Sequence, residues 1–85
     1  MAHSESLAVV GLGVLRGDPI TWVQHEDDDY LALAESDPLD PGVEDMRLLC
    51  LHCLINRHPE AGRGMDLARL HGAAEFREGE WHGIP

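Results

Sequence analysis

Lysine is absent from this chain, and six arginines are its only permanently basic side chains, against sixteen aspartates and glutamates. The formal net charge is therefore −10. Nucleic acids and anionic lipids are bound through clusters of Lys and Arg, because those cations displace counterions from the polyanion. The composition argues against nucleic acid and against a membrane surface as partners, and it favours a protein partner with a basic surface.

No long apolar run and no export signal is visible in the sequence. The apolar stretch at residues 7–15 is preceded by Glu5 and by no Lys or Arg, and no small-residue cleavage site follows it. It is far too short to span a bilayer. We expect a cytoplasmic protein, and because thiols stay reduced in that compartment, we expect no disulfide.

The length of the chain, 85 residues, predicts a single domain. We expect residues 1–78 to form one small globular domain and residues 79–85, which show no periodicity, to form a loosely held tail. A chain of this size buries only about 60–65% of its unfolded surface, so a bound partner can matter for its stability.

The first half of the chain predicts a β-hairpin followed by a short helix. In residues 6–16, both the odd and the even positions are mostly apolar, which is typical of a strand covered on both faces. Residues 20–24 are β-branched and aromatic and predict a second strand, joined to the first through a Gly-Asp turn. Acids precede residues 30–34, a run of good helix formers, so we expect a short helix there. The competing interpretation makes residues 19–24 helical, with an aspartate as N-cap.

The second half predicts two principal helices. Asp40 and Pro41 suit the N-cap and first position of a helix that runs to about Arg57, and Pro59 ends it. Another helix is expected over residues 65–76, where apolar residues share one stripe. The predicted fold class is therefore α+β, a small single domain with an N-terminal β-hairpin packed on two main helices, and an all-α bundle is the alternative.

Cys50 and Cys53 lie in the most apolar run of the chain, residues 48–55. On the predicted main helix both thiols share one apolar face, about two to three turns from the helix start. A thioredoxin-like pair needs its thiolate at the start of a helix, and a haem attachment site needs His where Leu54 stands. We therefore interpret the two cysteines as reduced, metal-free thiols of the core.

A zinc-stabilised module is the alternative function, with Cys50, Cys53, His58 and His71 as ligands, since structural Zn²⁺ is held by four N or S donors. The spacing of these residues is not typical of a zinc finger. A third interpretation is a thiol redox protein or a soft-metal carrier, with Met46 beside the cysteines as a further sulfur ligand. We predict no cofactor, with zinc as the alternative.

The densest group of charges is Glu26, Asp27, Asp28 and Asp29. Its spacing does not fit an EF-hand, because the acids are consecutive and no Gly occupies the turn position. Three interpretations remain: a solvated loop and helix start, a patch that docks on an Arg- or Lys-rich surface, or a divalent-cation site. These four acids are the predicted partner-binding residues.

Catalytic signatures are missing from the sequence. Gly11, Gly13 and Gly17 are similar to a dinucleotide-binding glycine motif, but the third glycine comes one residue late and Pro19 blocks the helix that should follow. No nucleophile elbow or other local catalytic motif is present. We assign no catalytic residues and expect a protein that is not an enzyme.

Together these observations predict a small acidic adaptor, inhibitor or accessory subunit that acts on a basic protein surface. The charge is uneven, since residues 1–42 hold nine acids and one Arg whereas residues 43–85 hold seven acids and five Arg. The segments 7–15 and 48–55 are apolar on nearly all sides, and burying them requires more apolar surface than the rest of so small a chain provides. A larger subunit or a homodimer is expected to supply it.

Overall fold

The computed structural model describes residues 7–26 and 29–85, and it has the α+β fold class that the sequence predicts; the all-α alternative is wrong. Six strands form one sheet, and helices lie against one of its faces. The elements in chain order are β1 (Leu7–Gly11), α1 (Leu12–Arg16), β2 (Ile20–Glu26), β3 (Asp29–Ala34), β4 (Met46–Cys50), α2 (Leu51–Arg57), α3 (Ala61–His71), β5 (Ala73–Arg77) and β6 (Glu80–Ile84), with a 3₁₀ turn over Val43–Asp45. Of the helices in this part of the chain, none has the length and apolar character that a membrane span requires.

The strand order across the sheet is β4-β1-β3-β2-β5-β6. β1 and β3 run parallel, and every other neighbouring pair is antiparallel. The hairpin in the N-terminal half is formed by β2 and β3, with Glu26 directly opposite Asp29. It is not the hairpin that the sequence predicts over residues 6–24, because β1 pairs with β3 and β4 and not with β2.

The predicted strand over residues 6–16 ends at Gly11, where the chain turns into α1. A carboxylate from the loop after β3 fixes this turn, since the backbone N–H of Gly13 donates to Asp37 Oδ1 (2.8 Å) and that of Ala34 donates to Asp37 Oδ2 (2.9 Å). A Cβ atom on Gly11 would overlap the same carboxylate. Two glycines of the segment that is similar to a nucleotide-binding motif, Gly11 and Gly13, therefore make room for an aspartate of the chain itself.

Residues 30–34, predicted to be helical, belong to β3. This strand lies between β1 and β2, and Tyr30, Ala32 and Leu33 are buried. Helix propensities differ by less than about 0.7 kcal/mol per residue among ordinary side chains. Hydrogen bonding to two neighbouring strands and burial of the side chains outweigh that preference.

The predicted main helix is divided into a strand and a short helix. Residues 46–50 form β4, which pairs with β1 along its whole length, and α2 begins only at Leu51. This pairing satisfies backbone groups of β1 that would otherwise form an open sheet edge. The last helix, α3, also begins earlier than predicted, at Ala61. It ends earlier because Gly72, with a φ of 107°, terminates it and β5 follows at once.

The C-terminal residues that the sequence assigns to a loose tail are paired in the sheet. Residues 80–84 form β6 opposite β5. Trp81 in this strand packs on α3, and its Nε1–H donates to the backbone oxygen of Glu60 at 3.1 Å. Gly64 makes that contact feasible, since a Cβ atom there would lie 2.7 Å from the indole ring.

One face of the sheet, the covered face, packs against the helices and holds the core. Its fully buried strand residues are mostly small, namely Ala8, Val10, Val23, Ala32 and Ala74. The helices contribute Leu54, Ala61, Met65 and Ala68 to the same cluster. Small side chains on both layers let the helices lie close to the sheet at the packing density of a protein interior.

Candidate functional site

The opposite side of the sheet, which we term the open face, is apolar and has no helix of the described residues packed on it. Its apolar side chains include Val9, Trp22, Leu31, Leu33, Met46, Leu48 and Ile84. The strand register places them together, because Val9 lies opposite both Leu31 and Leu48. Leu48 is 66% exposed, Leu33 is fully buried although it lies outside the core cluster of the covered face, and the others are half-buried. A contiguous exposed apolar surface of this kind marks an interaction site in many soluble proteins.

One end of the open face carries a pair of acids. Glu26 and Asp29 occupy opposing positions of β2 and β3, and both are exposed. Like charges directly opposite each other in a sheet are destabilising. Within residues 7–26 and 29–85, neither carboxylate has an ion-pair partner. The other two predicted partner-binding residues, Asp27 and Asp28, lie outside the described residues.

A shallow depression of about 280 Å³ joins this acid pair to the apolar surface. Its lining includes the apolar side chains of Val9, Leu31 and Met46, together with Glu26 and Asp29. An Arg or Lys side chain combines an aliphatic stem with a terminal cation. The depression therefore offers an apolar floor for such a stem and carboxylates for its charge.

The four predicted zinc ligands are not brought together. Cys50 and Cys53 lie at the start of α2, whereas His58 follows the other end of this helix and His71 is the last residue of α3, beside Gly83. Over the described ranges, no three His, Cys, Asp or Glu side chains form a group that could hold a metal ion. The zinc module stays a prediction.

His58 is buried and joins the helices to one another. Its Nε2 lies 3.2 Å from the backbone oxygen of Val14, and its Nδ1 lies 3.0 Å from Glu60 Oε2. The buried ring thereby links the end of α2 to α1 and to Glu60, just before α3. The sequence offered no signal for this role, because Val14 and His58 are 44 positions apart.

The two cysteines are not core residues, which corrects the sequence-based interpretation. Cys50 is the last residue of β4 and the N-cap residue of α2, and it is only half-buried. Cys53 is exposed, and Leu54 is the buried residue of this helix. The error follows from the predicted helix start at residue 41, which placed both thiols deep inside a longer helix.

The two thiols differ in acidity. The pKa of Cys50 is lowered, mainly because the backbone N–H groups of Cys53 and then His52 lie beside its sulfur as weak donors. The pKa of Cys53 is raised, first because its thiol donates a hydrogen bond to the Cys50 sulfur and second because the charge on Cys50 opposes another negative charge. Cys50 is therefore the first of the pair to ionise.

Comparison with known proteins does not inform the function. No protein-family model, no curated protein and no solved structure matches this chain. The function is therefore inferred from the chemistry of the open face alone.

Proposed function

We propose that this protein is a small acidic adaptor, inhibitor or accessory subunit that binds a basic protein surface through its open face. The observation that carries the proposal is an apolar sheet face that no described helix covers and that ends at two acids, Glu26 and Asp29, without an ion-pair partner among the described residues. A partner with an apolar patch bordered by Arg or Lys would cover the apolar sheet face and neutralise the two carboxylates.

The charges around the open face favour such a partner over a second copy of the chain. Strand register places Glu75, Arg77 and Glu80 on the same side as Glu26 and Asp29, which makes four acids against one Arg. The arginine is already 3.7 Å from Glu75 Oε1. Two open faces brought together would oppose acid to acid, whereas a basic rim would be attracted.

A titration with designed peptides tests this proposal. We would follow backbone amide resonances while adding one of two peptides of equal length, one alternating Leu with Arg and the other alternating Leu with Glu. The Arg peptide should shift the resonances of Val9, Gln24 and Leu31, and its affinity should fall as salt rises. Equal binding of both peptides, or shifts confined to α2 and α3, would contradict the proposal.

A charge-matched pair of variants locates the binding site. Glu26→Gln combined with Asp29→Asn should weaken the Arg peptide by about 3- to 10-fold, the effect of one or two partly exposed ion pairs. Glu35→Gln combined with Asp40→Asn removes the same formal charge from exposed positions away from the depression. An equal loss in both double variants would show that net charge, not this site, controls binding.

Sedimentation equilibrium distinguishes the homodimer from a different partner. Because acidic rims repel, we expect a 9.4 kDa monomer at micromolar concentration and low salt. A dimer that Leu48→Asp converts to monomer would identify a second copy of the chain as the occupant of the open face, in place of a basic partner.

A further inference from the structure

We propose that the outer edge of β4 binds an extended segment of a partner protein as an added antiparallel strand, with an apolar residue opposite Leu48 and a carboxylate opposite Arg47. β4 is the outermost strand on its side of the sheet, and no described residue pairs with its other edge. A free edge presents unpaired backbone N–H and C=O groups to which another chain can add a strand. This contact goes beyond the proposed function, since it uses neither Glu26 nor Asp29, and either proposal can fail alone.

The two edges of the sheet differ in how well they resist such pairing. At the opposite edge, β6 contains Gly83 and is followed by Pro85, a residue that weakens a strand and a residue that cannot donate to a ladder. β4 contains neither type, and its central residue, Leu48, is 66% exposed. The helix that follows β4 leans toward the middle of the sheet, because Leu54 of α2 is buried in the core with residues of β1.

The contacts of Met46 indicate which backbone groups of β4 face outward. Its N–H donates to the backbone oxygen of Val43, and its own oxygen accepts from the guanidinium of Arg47 at 2.7 Å, so neither group is directed at β1. In an antiparallel strand the N–H and C=O of one residue point the same way, and this direction alternates along the chain. The N–H and C=O of Leu48 therefore also point outward, whereas those of Arg47 and Leu49 face β1.

The guanidinium of Arg47 defines the charge that the added strand should carry. It is exposed, and within the described part of the chain it donates to the backbone oxygens of Met46 and Glu44 but forms no ion pair. A carboxylate opposite Arg47 would replace a contact with a neutral oxygen by a stronger charge-assisted pair. Residues directly opposite each other share a face of the sheet, so the residue next to this acid lies opposite Leu48 on the open face and should be apolar.

A second copy of the chain does not provide this carboxylate. Two β4 strands paired about a two-fold axis at Leu48 would place each Arg47 opposite a Leu49. No residue of β4 is acidic, so no other register of two β4 strands supplies an acid either. The net charge of −10 on each copy also opposes their association. These charges favour a segment of a different protein as the added strand.

Three peptides that differ at one position test the proposal. Each has the sequence Lys-Thr-Val-Ile-X-Val-Lys, in which X is Glu, Gln or Arg and lies opposite Arg47 when Ile lies opposite Leu48. We would titrate each peptide into the protein and follow backbone amide resonances. The Glu peptide should bind about 2- to 5-fold more tightly than the Gln peptide, the effect of one partly exposed ion pair. It should also bind more tightly than the Arg peptide, although the net charge of the protein favours Arg.

Hydrogen exchange of the wild type locates the added strand. In the free protein the Leu48 amide should exchange rapidly, whereas the amides of Arg47 and Leu49, which face β1, should be protected. The Glu peptide should slow exchange at Leu48 by at least about tenfold, because the new strand accepts a hydrogen bond from its N–H. Protection of Leu48 without peptide, or binding that leaves its exchange unchanged, would overturn the proposal and leave binding to the acid pair of the open face unaffected.

A charge reversal identifies the residue that selects the peptide. Arg47→Glu should reverse the order of affinities, so that the Arg peptide binds most tightly. Arg63→Glu makes the same change in formal charge at an exposed position of α3, which packs on β2, β5 and β6, and it should keep the wild-type order. Circular dichroism verifies that both variants are folded. Equal affinity of the three peptides for the wild type, tightest binding of the Arg peptide, no binding of any peptide, or the same order in both variants would overturn the proposal.

Discussion

The two faces of the sheet differ in the size of their side chains and in what covers them. On the covered face, Ala8 and Ala32 are fully buried beneath the helices. Their neighbours along the same strands, Val9 and Leu31, point to the open face and are larger and only half-buried, and Leu48 beside them is 66% exposed. On these two strands the alanines lie under the helix layer, and larger residues, including the fully buried Leu33, lie on the face that no described helix covers.

The residues of the open face are therefore apolar even though no described helix buries them. A sheet face that meets water usually shows polar residues alternating with the apolar residues of the core. The open face keeps apolar residues at its centre and places its charges at its margins, as the core and rim of a protein interface do. The strands are therefore suited to cover on both faces, and the described helices supply it on one.

Leu→Ala substitutions on the two sides of the sheet should differ most in their effect on the free energy of unfolding. Leu54→Ala removes a side chain that is fully buried against the covered face, and it should lower the free energy of unfolding by about 2–5 kcal/mol. Leu48→Ala, at an exposed position of the open face, should change it by less than about 0.5 kcal/mol. Urea unfolding followed by circular dichroism measures both. Similar losses in the two variants would mean that the open face is buried in solution.

A pair of glycines in α3 probes how closely the helix layer approaches the sheet. Gly64→Ala should destabilise the protein by about 1–3 kcal/mol, because the added Cβ would displace Trp81 and its hydrogen bond to Glu60. Gly62→Ala meets no atom within 4 Å and should stabilise the helix by up to about 1 kcal/mol. Thermal melting of the two variants is the measurement, and a stabilised Gly64→Ala protein would show that Trp81 does not pack on the helix.

The smallest effect is expected at the acid pair of the open face. Glu26→Gln removes a negative charge directly opposite Asp29 and should raise the free energy of unfolding by about 0.2–1 kcal/mol at low salt. The gain should shrink as salt screens the repulsion. Glu35→Gln controls for net charge alone, since it lies in the turn after β3. A gain that is the same in both variants, or that persists in high salt, would argue against local repulsion.

Local sequence signals predicted the fold class and one of the strands well. The β-branched and aromatic residues 20–24 form most of β2, and the apolar residues from Leu7 begin β1. The same signals predicted the wrong state for residues 30–34, because they are good helix formers that the sheet recruits as its third strand. Propensity is a weak preference, and pairing with strands on both sides overrides it.

The cysteine pair shows how a single error in a helix boundary changes a functional interpretation. Residues 41–57 contain enough apolar side chains to fit a continuous amphipathic helix, so periodicity gave no reason to divide the segment. Pairing of residues 46–50 with β1, which lies about forty positions earlier, converts the first part into a strand. Cys50 and Cys53 then move from the middle of a buried helix to the exposed start of a short one.

Composition and spacing were enough to establish the acidic character of the chain, its α+β class and the three-residue separation of its two thiols, because these are properties of the chain itself. Long-range contacts settled which sheet face the helices cover, where α2 begins and that Glu26 opposes Asp29. A strand with apolar residues on both of its faces does not indicate which face will be buried. That choice depends on where α2 and α3 pack, and therefore on contacts between residues far apart in sequence.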